Sequence, residues 1–340
     1  MRRTLTVAAC LLAAALALSA CGEMKTRINP VASRAQSLTL ALDERAGAAQ
    51  AGIFAARADG ALARAGIDLR LISATSSEQA LSDAETGRAD VAVASEPELM
   101  LARNRRQKVT GFGAITHGPQ ATIVSINRRR HRAIDSVRAL RGARLGVSGL
   151  ASEATLLGVM LRRAAVPSSR VRRVNVSSNP VAALLSGRVD AYYGEDAPTV
   201  AAALRARHKR VEVVPAGRLG LPRYDGLVLA TRVFYYAPHT NLLRRFVQAL
   251  GRGYEAVRRD PAAGLSALRA ARPGLDPAVS RAVLTATLPQ MFPGPGRPWG
   301  WQDPGQWRAF GRFLTAQQVI STPSAWAGAG PNDLLAGQGP

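Results

Sequence analysis

From residue 38 onward, short apolar runs alternate with stretches of helical period. Residues 38–42 predict a strand, 48–65 a helix and 67–72 a second strand, an alternation that builds βαβ units and a parallel sheet. Thr75-Ser76-Ser77-Glu78 has capping-box spacing and predicts a helix running toward Glu85. Buried strands follow at 91–94, 111–116 and 121–126. A second set repeats the rhythm with strand 143–147, helix 152–164, strand 171–176, a helix opened by Asn179-Pro180, and strands 189–193 and 211–214. Residues 227–231 form a strand that brings the chain back.

The remainder is helical. Asp260-Pro261, Asp276-Pro277 and Asp303-Pro304 each put a carboxylate at an N-cap and proline in the first turn, so each predicts a helix start. Helix 239–258 carries Leu242, Leu243, Phe246, Leu250, Tyr254 and Val257 near helical period, an apolar face for the core. Two sets of strands and helices predict two α/β lobes with a cleft between them. Ligands in such folds lie outside the carboxyl ends of strands, so function is sought in the loops after them.

The first twenty residues read differently. Arg2 and Arg3 precede an apolar run over 5–18 that ends in Leu18-Ser19-Ala20-Cys21. The run is short of the ~20 residues a spanning helix needs and has the order of a cleaved leader. It resembles bacterial lipoprotein signals, which implies that Cys21 becomes the first residue and carries lipid, with acyl chains anchoring the body. The expected place is the extracytoplasmic face of the cell membrane, the periplasmic side in a Gram-negative cell. An uncleaved anchor or an ordinary secretory signal with a chance cysteine is the alternative. Cys10 lies inside the leader, so the two cysteines of the chain leave no disulfide and no cysteine metal site in the body.

About 320 residues after the leader exceed what one core usually organises, so two domains are expected. The formal net charge of +22, lowered by two when the leader leaves, could point to an anionic partner. The arginines are scattered through nearly every helix, and aromatics at 5% are too few to interleave with a basic groove. Nucleic acid is therefore not an expected partner, and the basic runs 128–132 and 205–210 read as solvated turns or helix ends.

Several segments together carry a family resemblance. Leu40-Ala41-Leu42-Asp43, Gly52-Ile53-Phe54, Gly87-Arg88-Ala89-Asp90-Val91, Leu140-Arg141-Gly142, Gly187-Arg188-Val189-Asp190 and Leu221-Pro222-Arg223-Tyr224-Asp225 resemble the THI5-like and SsuA-like substrate-binding proteins of ABC importers, over residues 38–336. The branch most resembled takes up pyrimidine precursors of thiamine, hydroxymethylpyrimidine or formylaminopyrimidine. The resemblance implies an α/β protein of the type II periplasmic-binding-protein fold, a monomer that closes on a small molecule by hinge motion and delivers it to ABC permease and ATPase subunits. The implied division is a leader over 1–20, a tether over 21–37, a first lobe of 38–126 plus 229–340, and a second lobe of 127–228. Sulfonate, taurine or nitrate is the alternative cargo. Where that branch usually has tryptophan, proline, asparagine and histidine after its first strand, this chain has Glu44, Ala46, Gly47 and Gln50, which removes an aromatic wall.

The candidate ligand residues sit in the loops. Asp43 and Gln50 follow the first strand, and Asp43 serves equally as a helix cap. Ser95 and Thr122 offer hydroxyls, with capping the other role for Ser95. Ser148, Gly149, Ser152 and Glu153 join a strand to a helix N-terminus, whose free amides suit a phosphate, carboxylate or polar ring atom. The family commonly presents an aromatic residue and a glutamate at Tyr193 and Glu195, to stack on and hydrogen-bond an aminopyrimidine. Asp196 reads as a helix cap, and Tyr224 and Asp225 as hinge packing or site. Eukaryotic THI5-like relatives are pyrimidine-synthesising enzymes. That reading needs a cysteine-rich motif and a histidine where Gln50 stands, so the expectation is binding without catalysis, cofactor or metal.

Overall fold

The computed structural model describes residues 35–43, 47–119, 121–127, 134–176, 179–214 and 216–335. The leader, Cys21, the tether up to residue 34, Glu44, Ala46 and the arginine run 128–132 lie outside the described residues. In chain order the elements are β1 (Gln36–Asp43), α1 (Ala51–Ala58), α2 (Ala61–Arg64), β2 (Ile67–Ala74), α3 (Ser77–Thr86), β3 (Val91–Ala94), α4 (Glu96–Asn104) and β4 (Val109–Thr116). Then come β5 (Thr122–Ile126), β6 (Arg144–Val147), α5 (Ala151–Arg163), β7 (Arg172–Asn175), α6 (Pro180–Ser186), β8 (Ala191–Gly194), α7 (Ala197–Ala206) and β9 (Val211–Val214). The chain continues with β10 (Leu227–Arg232), α8 (Val233–Tyr236), α9 (Thr240–Arg259), α10 (Pro261–Ala271), α11 (Pro277–Thr287) and α12 (Pro304–Ala316).

The strands form two five-stranded sheets, ordered β2-β1-β3-β10-β4 and β7-β6-β8-β5-β9. Neither is purely parallel, which corrects the expectation. β10 runs antiparallel to β3 and β4, and β5 antiparallel to β8 and β9. β5, counted above with the first lobe, belongs to the second sheet, and all of β10 belongs to the first. The chain thus crosses between sheets before Thr122 and again before Leu227.

Local chemistry accounts for the element ends. All three Asp-Pro carboxylates cap their helices: Asp260 accepts from Ala263 N–H at 2.9 Å, Asp276 from Ala278 and Val279 at 2.8 and 3.0 Å, and Asp303 from Gly305 and Gln306 at 2.7 and 3.3 Å. The expected helix 48–65 is a 3-10 turn followed by α1 and α2, broken at Gly60, whose φ of 75° is the left-handed conformation glycine adopts freely. Ser76, not Thr75, caps α3, its Oγ accepting from Gln79 N–H at 3.1 Å. Asp90 and Asp190 play matching parts in the two sheets: Asp90 accepts from Thr39 N–H at 2.9 Å and Asp190 from Arg144 N–H at 2.7 Å, each tying a strand start to its neighbour.

Each sheet is covered on both faces. In the first, Leu40, Ile53, Phe112, Phe246 and Tyr254 pack on one side and Leu81, Leu99, Trp307 and Phe310 on the other. The apolar face foreseen on α9 is buried throughout, from Leu242 to Val257. No helix among the described residues is long and apolar enough to cross a membrane.

Candidate functional site

Loops from the two sheets converge on a cavity of about 90 Å³. At roughly 10–15 Å³ for each water-sized particle, that is room for something on the scale of one small ring. Asp43 at the end of β1, Gln50 and Ser77 line it from the first lobe, and Glu195, Asp196, Pro198 and Thr199 from the second. No lysine or arginine is among the described lining residues.

Glu195 is the most perturbed of these groups. Its N–H donates to Glu153 Oε1 at 2.7 Å, and the second oxygen of Glu153 receives the Ser148 hydroxyl. Burial above all, and then the Glu153 carboxylate, push the Glu195 carboxyl up to about 8, against the opposing pull of a hydrogen bond from Ser95. Ser95 stands on the first lobe after β3. Ser95 also does what its capping reading requires, accepting from Glu98 N–H at 3.4 Å. A neutral Glu195 carboxyl offers one O–H donor beside an acceptor oxygen, the pair that an amidine-like ring edge matches.

Other candidates have different surroundings. Gln50 spends its Oε1 on Gly47 N–H at 2.9 Å; its amide nitrogen has no partner among the described residues. The α5 N-terminus holds its own carboxylate, because Glu153 folds back onto Ser148, whose oxygen accepts from Leu150 N–H at 3.2 Å. Gly149 has a φ of 89° and supplies the turn, while Ser152 is buried in the first turn of α5. Neither lines the cavity. The Thr122 hydroxyl donates to the Val214 carbonyl and stitches β5 to β9.

Tyr193 is fully buried among Ile123, Leu145 and Leu157. The stacking surface expected there is therefore not on the cavity wall, because helices cover both faces of the second sheet. Tyr193 Oη is buried without a hydrogen-bond partner, and burial is the main cause that raises its phenol well above the ordinary range. Tyr224 stacks on Phe310 at 4.8 Å between ring centroids. Asp225 accepts from Trp307 Nε1 at 3.0 Å and lies 3.4 Å from His117 Nδ1, pairing the two crossings between sheets. Tyr224 and Asp225 line a separate open groove of about 1030 Å³ and do not reach the small cavity. Asp196, read as a helix cap, makes no cap bond; its carboxylate accepts from the Tyr192 hydroxyl and lines the cavity. Ser77, Pro198 and Thr199 were not singled out by sequence as site residues, and their place in the first turn of a helix that follows a strand is the signal that would have found them.

Among the described residues no group of three or more histidine, cysteine, aspartate or glutamate side chains is arranged to hold a metal. The two-lobed architecture is shared with the alkanesulfonate-binding protein SsuA from Xanthomonas axonopodis pv. citri bound to MOPS. That structure matches with a TM-score of 0.65 at 19% identity, over 87% of this chain and 98% of that one. The desulfurization enzyme DszB also shares it, with a TM-score of 0.57 at 18% identity over 88% and 97%, so the fold by itself does not separate binding from catalysis. In sequence, the formylaminopyrimidine-binding protein of Halalkalibacterium halodurans is 24% identical over 292 residues, 85% of this chain and 87% of that protein. The NMT1/THI5-like family profile matches residues 48–264, more than half of the chain. With two mixed five-stranded sheets joined by paired crossings, the chain belongs to the NMT1/THI5-like family and has the type II periplasmic-binding-protein fold.

Proposed function

We propose that this protein is the substrate-binding lipoprotein of an ABC importer, held at the extracytoplasmic face by Cys21, and that its cargo is a small heterocycle of the thiamine-pyrimidine type. One observation carries the cargo reading: Asp43, Glu195 and Asp196 line the cavity between the lobes, with Gln50 beside them, while Arg272 donates to the Asp43 carbonyl at 3.4 Å from outside that lining. The carboxyl groups among the described lining residues favour a ligand that donates hydrogen bonds over sulfonate or nitrate, which only accept them. An aminopyrimidine presents ring nitrogens and an exocyclic amine, which a carboxyl–carboxylate wall can serve from both sides. Binding rather than chemistry is supported by the likeness to the formylaminopyrimidine-binding protein. In this account Asp43, Gln50, Ser95 and Glu195 contact or frame the ligand. Glu153, with Ser148, positions the Glu195 loop.

The experiment is a thermal-shift screen of the full chain against hydroxymethylpyrimidine, formylaminopyrimidine, thiamine, taurine, an alkanesulfonate and nitrate. A ligand that binds only the native state raises the melting temperature. The reading expects a rise with the pyrimidines alone. A rise with the sulfonate and none with the pyrimidines would replace it with the alternative cargo.

A further inference from the structure

Among the described residues the exposed large hydrophobic side chains are Phe234 and Val233, at 78% and 41% exposure. Both belong to α8, directly after β10 ends at Arg232. Val233 N–H donates to the Lys108 carbonyl at 2.8 Å and Arg232 Nη1 to the Ala89 carbonyl at 3.2 Å, while Asp90 N–H donates to the Thr39 carbonyl at 2.8 Å, so α8 begins at the end of the sheet where β1 and β3 start. β1 and β10 flank β3, which puts them about 10 Å apart at the usual strand spacing. The described chain begins at Ala35, so the exposed pair sits at the end of the sheet where the preceding segment joins the body.

That end is also basic. Segments 87–90 and 105–108 contain Arg88, Arg105, Arg106 and Lys108 against the single acid Asp90, whose carboxylate accepts from Thr39 N–H. Arg88 pairs with Asp83 at 3.0 Å and Arg105 with Glu98 at 3.0 Å. Arg106 and Lys108 have no carboxylate partner among the described residues. The nearby Glu85 carboxylate is engaged by the Lys108 backbone N–H and the Gln107 amide.

We infer that this end of the first lobe rests on an anionic lipid surface, with Phe234 and Val233 entering the headgroup layer and Arg106 and Lys108 meeting lipid phosphates. The inference rests on the reading of Cys21 as the lipid attachment. Ala35 follows Cys21 by fourteen residues, so an anchored chain can hold this face at most about 50 Å from the surface. Aromatic and basic side chains are the pair that favours the membrane interface, and a basic patch adds a second signal to acyl anchoring. The cavity residues Asp43 and Ser95 lie at the opposite ends of β1 and β3. Resting this face on lipid therefore puts the cavity end of these strands on the side away from the membrane.

The test uses the full chain purified from membranes. Cys10 leaves with the leader and Cys21 is acylated, so Phe234→Cys supplies the one free thiol for a bimane label, and Thr285→Cys on exposed α11 gives a control. In vesicles of equal phosphatidylglycerol and phosphatidylcholine doped with doxyl lipid, the label at 234 is expected to be quenched at least threefold more than that at 285. Adding Arg106→Glu and Lys108→Glu should bring it down to the control. Equal quenching at the two sites overturns the inference, as does a shift at 234 in detergent that grows with protein concentration, the mark of contact between copies. Flotation with vesicles, lost in Cys21→Ser, reads the anchor separately. A chain that floats while its 234 label behaves as the control contradicts this inference and leaves the anchor standing, and a chain that does not float contradicts both.

Discussion

Glu195 sets the electrostatic character of the cleft, and its effect on stability has a definite sign. A carboxyl that titrates near 4.5 when unfolded and about 8 when folded retains a proton in the native state that the unfolded chain has already released. Its stabilising contribution is whole below pH 4.5 and is lost as pH rises toward 8. Glu195→Gln keeps the neutral form at every pH, so the fall in melting temperature between pH 5 and 8 should become shallower; thermal unfolding across that range checks it, and an unchanged slope refutes it. Gly194 is constrained by close approach, because a Cβ there would stand 2.5 Å from Tyr192 Oη and 2.9 Å from Asp196 Oδ1. Gly194→Ala is expected to cost about 1–3 kcal/mol through overpacking, measured by urea unfolding, and to weaken ligand binding by moving the Glu195 loop. Asp43, Gln50 and Glu195, which line the cavity, were singled out from the sequence because each stands at or beyond the carboxyl end of a strand. The burial of Tyr193 was not, since alternation along a strand shows which side a residue faces and not whether a helix covers that side.

Among the elements, punctuation was the most legible feature. Each Asp-Pro pair begins a helix where expected because a carboxylate at the N-cap satisfies amides that nothing else reaches. Asp276→Ala, which removes two such bonds, should cost about 1 kcal/mol in denaturant unfolding. Helix α4 escaped notice although Ser95 and Pro97 form the same kind of start, because its buried Glu96 and Glu98 disguise an apolar environment as a polar surface. Asp225 N–H and Gln306 serve Glu96, and Arg105 serves Glu98. The pairing of α1 with α9 was also hidden. A Cβ on Gly253 would strike the Gly52 carbonyl and Ala56, so the two backbones pass closely where glycine looks like a helix weakness. Gly253→Ala, favourable by helix propensity, should instead destabilise by about 1–3 kcal/mol, and a gain in the urea midpoint would show that the helices can separate.

For the whole molecule, two lobes were legible and their wiring was not. The alternation of strands and helices predicts parallel pairing, but β5 and β10 follow the crossings between sheets and enter antiparallel, a reversal set by which lobe the chain returns to and invisible in any local pattern. The same crossings bring Asp43, Gln50, Glu195 and Asp196 from distant parts of the chain to one small cavity. That wall of carboxyl groups sets what the cleft accepts. Calorimetric titration of the wild-type chain and Glu195→Ala with formylaminopyrimidine and with an alkanesulfonate at pH 6.5 tests it most directly. The wild type is expected to bind the pyrimidine and not the sulfonate, and Glu195→Ala to bind the pyrimidine at least tenfold more weakly while melting as a folded protein. Equal pyrimidine affinity in the two proteins, or sulfonate binding by the wild type, would contradict it.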